Sequence, residues 1–506
     1  MGRPQSTLIA SDGNMGLIPA SPASAVVKLG HCSQGPLNTL VLPASKSALV
    51  GTFGVGATVD AAGLAMDYPG RGQVGVLRCA ASTPGSAGSV TKIDNPAAAG
   101  TPTTIGANNA RITLVSNQQN VRIKVVVSGN NTALSVADPA SGLITVNSAT
   151  DGGGAATSTG SDILAAILAK ATAMALLASA GLHSLSNGGG VMGTIAETPL
   201  PFGSTGTMSV AGAALDAYEV RVKITRSGAL NAGAFRYSLD GGDLYSDEIT
   251  LPNGGDYAIP LTGLTLTFTA GAGTPPYVKD DVFSFDCTAP QPSNSDIQAA
   301  LDALRLDPRG VGIIHIIGSI DTTIFAGLGA AADAFEAAKK YVLIVAEVAG
   351  PAGGTSNTAW ATALIGTWGQ TAHKRVALCA GMAEVAATVG IPMAGRTMKR
   401  NAAWVLTARA GSRPISEDVG RVATGPLPGV ASIYQDDVAD TLLDARFSCL
   451  YTVPDYEGFY GGGRIFSQSG SDFRDWQDLR VLNEAMRIGY RGQTRYLSDT
   501  VRPRLV

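Results

Sequence analysis

Two glycines, Gly30 and Gly35, follow the apolar run Val26-Val27-Lys28-Leu29 in "VVKLGHCSQGPLNTLVLPASKSALVGTFG", residues 26–54. That spacing suits a phosphate loop, whose backbone N–H groups close around an anion while a lysine neutralises it. Pro36 and Leu37 stand where such a loop needs Lys and Ser/Thr, and proline has no N–H to give. The stretch reads as a turn. Gly54 and Gly56 form a weaker pair that fails equally. Ser356, in "GGTSNTAWA", has the small neighbours of a nucleophilic serine, but that chemistry needs a histidine base and an orienting carboxylate. The chain has four histidines, His31, His183, His315 and His373, and none opens a His-Gly-Thr helix start. His315 lies inside an apolar strand and reads as a hydrogen-bonded core residue. A serine hydrolase using Ser356 stays as the enzymatic alternative.

Metal chemistry finds no pattern either. Asp240, Asp243, Asp247 and Glu248 cluster in a hairpin without the 1-3-5-12 layout of a calcium loop, so a solvated turn is expected. Histidines and cysteines never approach ligand spacing. The five cysteines, Cys32, Cys79, Cys287, Cys379 and Cys449, are scattered, which reads as reduced thiols in a cytosolic assembly environment. The expectation is no catalytic residues, no metal and no cofactor.

The elements that must position these residues are many. A chain of 506 residues supports three or four domains. Only 15% of residues are charged and 6% aromatic, while 63 are glycine, a composition of packed strands, small-residue helices and turns. A net charge of −3 argues against a nucleic-acid-binding face. The N-terminus lacks an apolar signal core. The most apolar stretch, 161–182, carries Lys170 near its middle, costly in a membrane. It is expected to be one amphipathic helix capped by Ser161 or Asp162 and ended by Gly181, with no membrane insertion.

Residues 1–25 read as an extended N-terminal arm with one apolar run, Thr7, Leu8, Ile9 and Ala10. Residues 26–97 read as the first part of an α/β core. Strand patterns and turn residues mark 98–205 as an inserted β-rich module with one helix, and 206–290 as a β-sandwich-like insert. The core resumes over 291–489, where strand–helix–strand alternation predicts crossovers in a parallel or mixed sheet. The fold class expected is an α/β core, a mixed sheet with flanking helices, interrupted by inserted β-rich domains. Near the end, Ser471 or Asp472 is expected to cap a helix with Phe473, Trp476, Leu479, Leu482 and Met486 on its inward face, ended by Gly489. Arg474, Arg480 and Arg487 then fall on or near its polar side, as possible contacts for an acidic partner or as a solvated face. Residues 490–506 read as a C-terminal arm, with Tyr496, Leu497, Val501 and Leu505 as its apolar positions.

The opening stretch, with its Ser-x-Gly-Pro-x-Asn turn and helix ending in Phe-Gly, resembles contractile-tail sheath proteins of bacteriophages. The closing "PDYEGFYGGGRIFSQSGSDFRDWQDLRVLNEAMRI" resembles the sheath type of Mu-like phages, and "GAFRYSLDGGDLYSDEITLP" with its following strands is similar to the inserted β domain of such sheaths. The resemblance implies a non-enzymatic subunit, polymerised as stacked hexameric rings of a helical sleeve around a tail tube protein, with baseplate and tail terminator proteins at its ends. It implies contraction that drives the tube through a bacterial envelope for genome delivery, in a virion assembled in host cytoplasm. Both arms would add strands to neighbouring subunits, and Arg474, Arg480 and Arg487 would be the tube-facing candidates. A phage-derived injection system or tailocin sheath is the nearest alternative, and a secreted β-rich adhesin a more distant one.

Overall fold

A computed structural model describes residues 22–93, 102–117, 121–200, 204–271, 275–387, 389 and 396–494. The arm positions Thr7, Leu8, Ile9, Ala10, Tyr496, Leu497, Val501 and Leu505 lie outside the described residues.

The core is a six-stranded mixed sheet. Its order is Leu40–Val41, Val74–Arg78, Val26–Gly30, Ile313–Ser319, Leu343–Glu347 and Val376–Cys379. All neighbours pair in parallel except Leu40–Val41, which runs antiparallel to Val74–Arg78. The strands are continuous apolar runs because both faces are covered. On one face lie the helices Ala57–Asp67 and Ala403–Ser412, with Trp476 and Leu479 of the final helix. On the other lie Asn294–Leu306, Thr322–Ala337, Asn357–Trp368 and Ala439–Asp444. The strand period of two divides each strand between them: Val26 faces the first layer and Val27 and Leu29 the second.

The central strand, Val26–Gly30, pairs on one side with Val74–Arg78 and on the other with Ile313–Ser319. The chain between those neighbours makes a long excursion with two further apolar cores. Residues between 204 and 288, with two short strands from 86–93, pack a six-stranded sheet on a three-stranded one around Phe235, Phe268, Tyr277 and Phe283. Residues between 102 and 200 pack a four-stranded and a three-stranded sheet with the helix Gly160–Ala169. Thr83 and Gln291 form an antiparallel bridge where the excursion leaves and re-enters the core. Farther out, Lys92 Nζ donates to Ser204 O at 2.5 Å, bracketing residues 94–203.

Three expectations are corrected. The stretch 161–182 is not one helix: it is Gly160–Ala169, a single turn Ala171–Met174, and a strand Leu177–Leu182. The strand pairs antiparallel with Ile112–Ser116, while Lys170 turns out of the helix to meet Asp138 at 2.8 Å. Tertiary pairing overrides the helical pattern. The cap is Thr159, in a capping box with Asp162; Ser293 and Asp296 repeat that device before Asn294–Leu306. Second, Ser86–Ala87 and Thr91–Ile93 belong by pairing to the Val282–Thr288 strand of the insert, although the sequence reads them with the core, because an edge strand carries no signal of its partner. Third, Gly489 does not end the final helix. It runs Trp476–Thr494, so the segment after 489 starts as helix and not as an extended arm.

Because Lys92 and Ser204 hold the two ends of the 94–203 segment together, replacing that segment by a short Gly/Ser linker should leave the rest folded. Circular dichroism and thermal unfolding of the shortened chain check this, with one cooperative transition expected and an unfolded or aggregated product counting against it.

Candidate functional site

The glycine turn is closed to anions. Its donors are consumed internally: Ser33 N–H donates to Val55 O and Gln34 N–H to Phe53 O. Its carbonyls are aimed at a cation, with Arg78 donating to Cys32 O at 3.0 Å and Gly35 O at 2.5 Å. That is the reverse of a phosphate cradle. Gly30 is required by packing, since a Cβ there would lie 2.4 Å from Thr58 Oγ1. Ser356 is the N-cap of Asn357–Trp368 and accepts from Ala359 N–H at 3.3 Å. Among the described residues no hydrogen bond joins it to a histidine. His315 is bound elsewhere, and His373 lies 3.3 Å from Asp333. Among the described residues, no group of three or more His, Cys, Asp or Glu is placed to hold a metal ion, and no helix is long and apolar enough to cross a membrane. The five cysteines are free, buried thiols, and burial raises the pKa of each.

A polar chain missed by sequence reasoning lies in the centre of the core. Lys28 and His315 are register partners on adjacent strands, both 0% exposed, beneath the wholly buried helix Ala403–Ser412. Lys28 Nζ donates to Thr407 Oγ1 at 2.6 Å and lies 3.0 Å from His315 Nδ1. His315 Nε2 lies 2.9 Å from Glu347 Oε1, and Glu347 Oε2 accepts from Gly318 N–H at 3.2 Å. While Lys28 is an ammonium it can only donate, so the ring then accepts at Nδ1 and donates from Nε2 to Glu347. Burial lowers the Lys28 pKa to about 7, against the pull of Glu347. Burial raises Glu347 to about 7, and burial with the Lys28 charge holds His315 well below its usual value. Sealed from solvent, the chain meets no substrate; it satisfies three strands with one another. A lone Lys in an apolar strand was the available signal.

A second buried network joins the core to the insert. Arg396 Nη2 lies 3.2 Å from Asp60 Oδ2, and Arg400 Nη2 lies 2.5 Å from Asp216 Oδ2. Asp60 sits on a core helix, Asp216 just before the insert strand Glu219–Arg226, and Arg400 on the strand Thr397–Asn401. Arg396 also stacks 5.5 Å from the Tyr218 ring and Arg400 5.0 Å from that of Trp404. Burial raises the Asp60 carboxyl above its usual range despite Arg396. Lys399 pairs with Glu219 at 3.1 Å on the rim, beside a cleft of about 490 Å³.

The final helix inverts the expected pattern. Beside Trp476 and Leu479 its buried residues are Arg480, Asn483, Glu484 and Arg487. Arg487 donates to Val311 O at 2.9 Å, to Tyr341 O and to Glu484 at 3.2 Å. Arg375 donates to Asn483 and pairs with Glu336 at 2.9 Å, and Arg480 reaches Arg413 O at 3.4 Å. The arginines face inward because unpaired loop carbonyls await them at the sheet's end. Val481, Leu482, Ile488 and Tyr490 are exposed instead, Ile488 by 61%. Of the three arginines expected on the polar side, Arg480 and Arg487 are therefore buried within their own chain; Arg474 alone is exposed.

The family model described as DUF2586, N-terminal domain, matches residues 4–463. No curated protein matches the chain. Among solved structures it is similar to a sheath tail protein from Desulfitobacterium hafniense, at 11% identity over 95% of this chain and 81% of that one, with a TM-score of 0.39. A sheath tail protein from Listeria innocua gives 9% identity over 94% and 79%, TM-score 0.36. The contracted helical sheath of the anti-feeding prophage gives 16% over 43% and 56%, TM-score 0.30.

Two outcomes test these networks. Between pH 7 and 10.5 the unfolded chain carries the Lys28 proton that the folded one lacks, so stability rises with pH there, by up to about 1.4 kcal/mol per unit. Glu347 acts oppositely below pH 7, where the folded state holds its proton. Thermal unfolding at pH 7.5 and 9.5 should therefore show a smaller rise for Lys28→Met than for the parent. For the seam, Arg400→Met leaves Asp216 buried and unpaired and should cost about 3–5 kcal/mol. Urea unfolding should show most of it recovered in Arg400→Met with Asp216→Asn.

Proposed function

This chain belongs to the DUF2586 family, and we infer that it is the structural subunit of a contractile tail sheath. The observation that carries the reading is the inverted final helix. It buries Arg480, Glu484 and Arg487 in its own core and leaves Val481, Leu482 and Ile488, on its outward side, in water. An arrangement like that is completed by another chain. The core is built as a rigid body, clamped internally by the Lys28 chain and to its insert by the Arg396–Arg400 seam, which suits a part that moves without deforming.

In this reading subunits polymerise head to tail into a helical sleeve around a tail tube, and contraction comes from two alternative packings of the same cores. Residues 1–25 and the segment beyond 494 join neighbours through added strands, each main-chain bond worth about 1 kcal/mol net. Residues 98–205 and 206–290 are the outward modules. The Mu-like type rests on the closing sequence stretch, and delivery of a genome by a virion stands beside the injection-system or tailocin reading. Arg474 is the one of the three arginines left free to meet a tube; Arg480 and Arg487 act within the subunit.

Electron microscopy of the purified full-length protein tests the proposal, with tubes expected. Deleting 495–506 leaves the described helix intact and should give a folded, monomeric protein by analytical ultracentrifugation. Tubes formed by the shortened chain would remove the arm from the account, and a full-length protein that never assembles would remove the sheath.

A further inference from the structure

At the N-terminal ends of the core strands lies a groove of about 760 Å³. Its walls come from the residues just before four parallel strands: Ala25, Gln73, Val311 and Lys340. Five cations from three parts of the chain line it, Arg309, Lys339, Lys340, Arg487 and Arg491, and among the described lining residues none is acidic. Two carboxylates stand behind it: Asp307 pairs with Arg309 at 2.6 Å and Glu484 with Arg487 at 3.2 Å. They leave an excess of positive charge around an apolar floor that includes Leu42 and Tyr490.

The opposite end of the same sheet is acidic. Asp436, Asp437, Asp440 and Asp444 are exposed within nine residues, the last two at i, i+4 on the helix Ala439–Asp444. Asp437 accepts from Asn357 at 2.7 Å, the first residue of the helix that follows Leu343–Glu347. The neighbouring Tyr434 N–H donates to Met382 O, just past Val376–Cys379. These bonds fix the ridge at the C-terminal ends of the strands. Asp436 is held by Thr452, whereas among the described residues Asp440 and Asp444 have no ion-pair partner.

We propose that the cationic groove of one subunit receives the Asp436–Asp444 ridge of a second copy of this chain. The inference rests on the polymer reading above and gives it a specific contact. Because groove and ridge occupy opposite ends of one sheet, the contact is heterologous and does not close on itself, so repetition produces an open polymer. Groove against groove and ridge against ridge place like charges together, which opposes those pairings and fixes the polarity of stacking. The contact weakens as salt rises, since the Debye length falls from about 10 Å at 0.1 M to about 3 Å at 1 M.

A charge-swap mixture tests the proposal. One variant carries Lys339→Glu and Lys340→Glu, the other Asp440→Lys and Asp444→Lys; circular dichroism and thermal unfolding verify that each is folded. Alone, the first sets acidic groups in the groove against the native acidic ridge, and the second offers the native cationic groove a ridge of no net charge; in both, the critical concentration for pelleting should rise at least about tenfold. Mixed in equal amounts, the native groove meets the native ridge at every second contact and the introduced Glu meet the introduced Lys at the others, so alternating polymers should form at a threshold well below that of either variant alone. Milder variants, Lys339→Gln and Asp440→Asn, should lower the salt dependence if a reversal fails to fold. Parental assembly by either reversal alone overturns the contact. So does a mixture that stays unassembled, which would mean that the groove holds another occupant, such as residues 1–21. A parent protein forming no tubes but short, salt-sensitive oligomers that obey the same swaps keeps the contact and removes the sheath; no self-association at all removes both.

Discussion

Pairing of Val26–Gly30 with two strands that are remote from each other in sequence is the constraint on which the structure depends. Val26 opposes Val74 on one side and Ile313 on the other. Once that register is set, the chain between 78 and 313 has to leave and return beside the same strand, and the Thr83–Gln291 bridge marks where it does. The register also puts Lys28 against His315, and so decides that a lysine is buried at the centre. Shifting it by one residue would turn Lys28 towards the opposite apolar layer, so the polar chain acts as a lock on alignment.

Part of the charge in this molecule is used inside it. A buried ion pair gives little net stability compared with apolar packing, yet Asp60, Asp216, Arg396 and Arg400 are all buried at the junction of core and insert. What they supply is geometry: guanidinium and carboxylate meet only in a narrow range of orientations, so the insert has one seat on the core. The same logic holds the final helix, whose arginines seek carbonyls at strand ends while its apolar residues are left over.

The core alternation was legible because buried parallel strands are continuous apolar runs: "VGIIHIIGSI" and "VLIVAEVAG" admit little else. His315 was legible as a bonded core residue because nothing near it in sequence is polar. Lys28 was not singled out, because its partners, His315 and Thr407, lie 287 and 379 residues away. The inward face of the final helix was misread for a related reason. Helical periodicity assigns apolar residues to the core, but it carries no information about carbonyls presented by Val311 and Tyr341. The 161–182 stretch failed because alanine-rich sequence is helical by default, and only its antiparallel partner at Ile112–Ser116 makes Leu177–Leu182 a strand.

The topology of the core sheet sets a schedule for synthesis. A ribosome extending the chain at about 5–20 residues per second delivers Ile313 roughly 15–60 s after Val26. During that interval the nascent strand has one filled flank, Val74–Arg78, and one bare edge of unpaired main-chain groups. The two inserted cores, made entirely within the interval, can consolidate first and hold the gap open until the late strand arrives. Translation therefore makes the core in two instalments with the outer modules between them, and, among the described residues, the helix Trp476–Thr494 covers the sheet that Val26–Gly30 began.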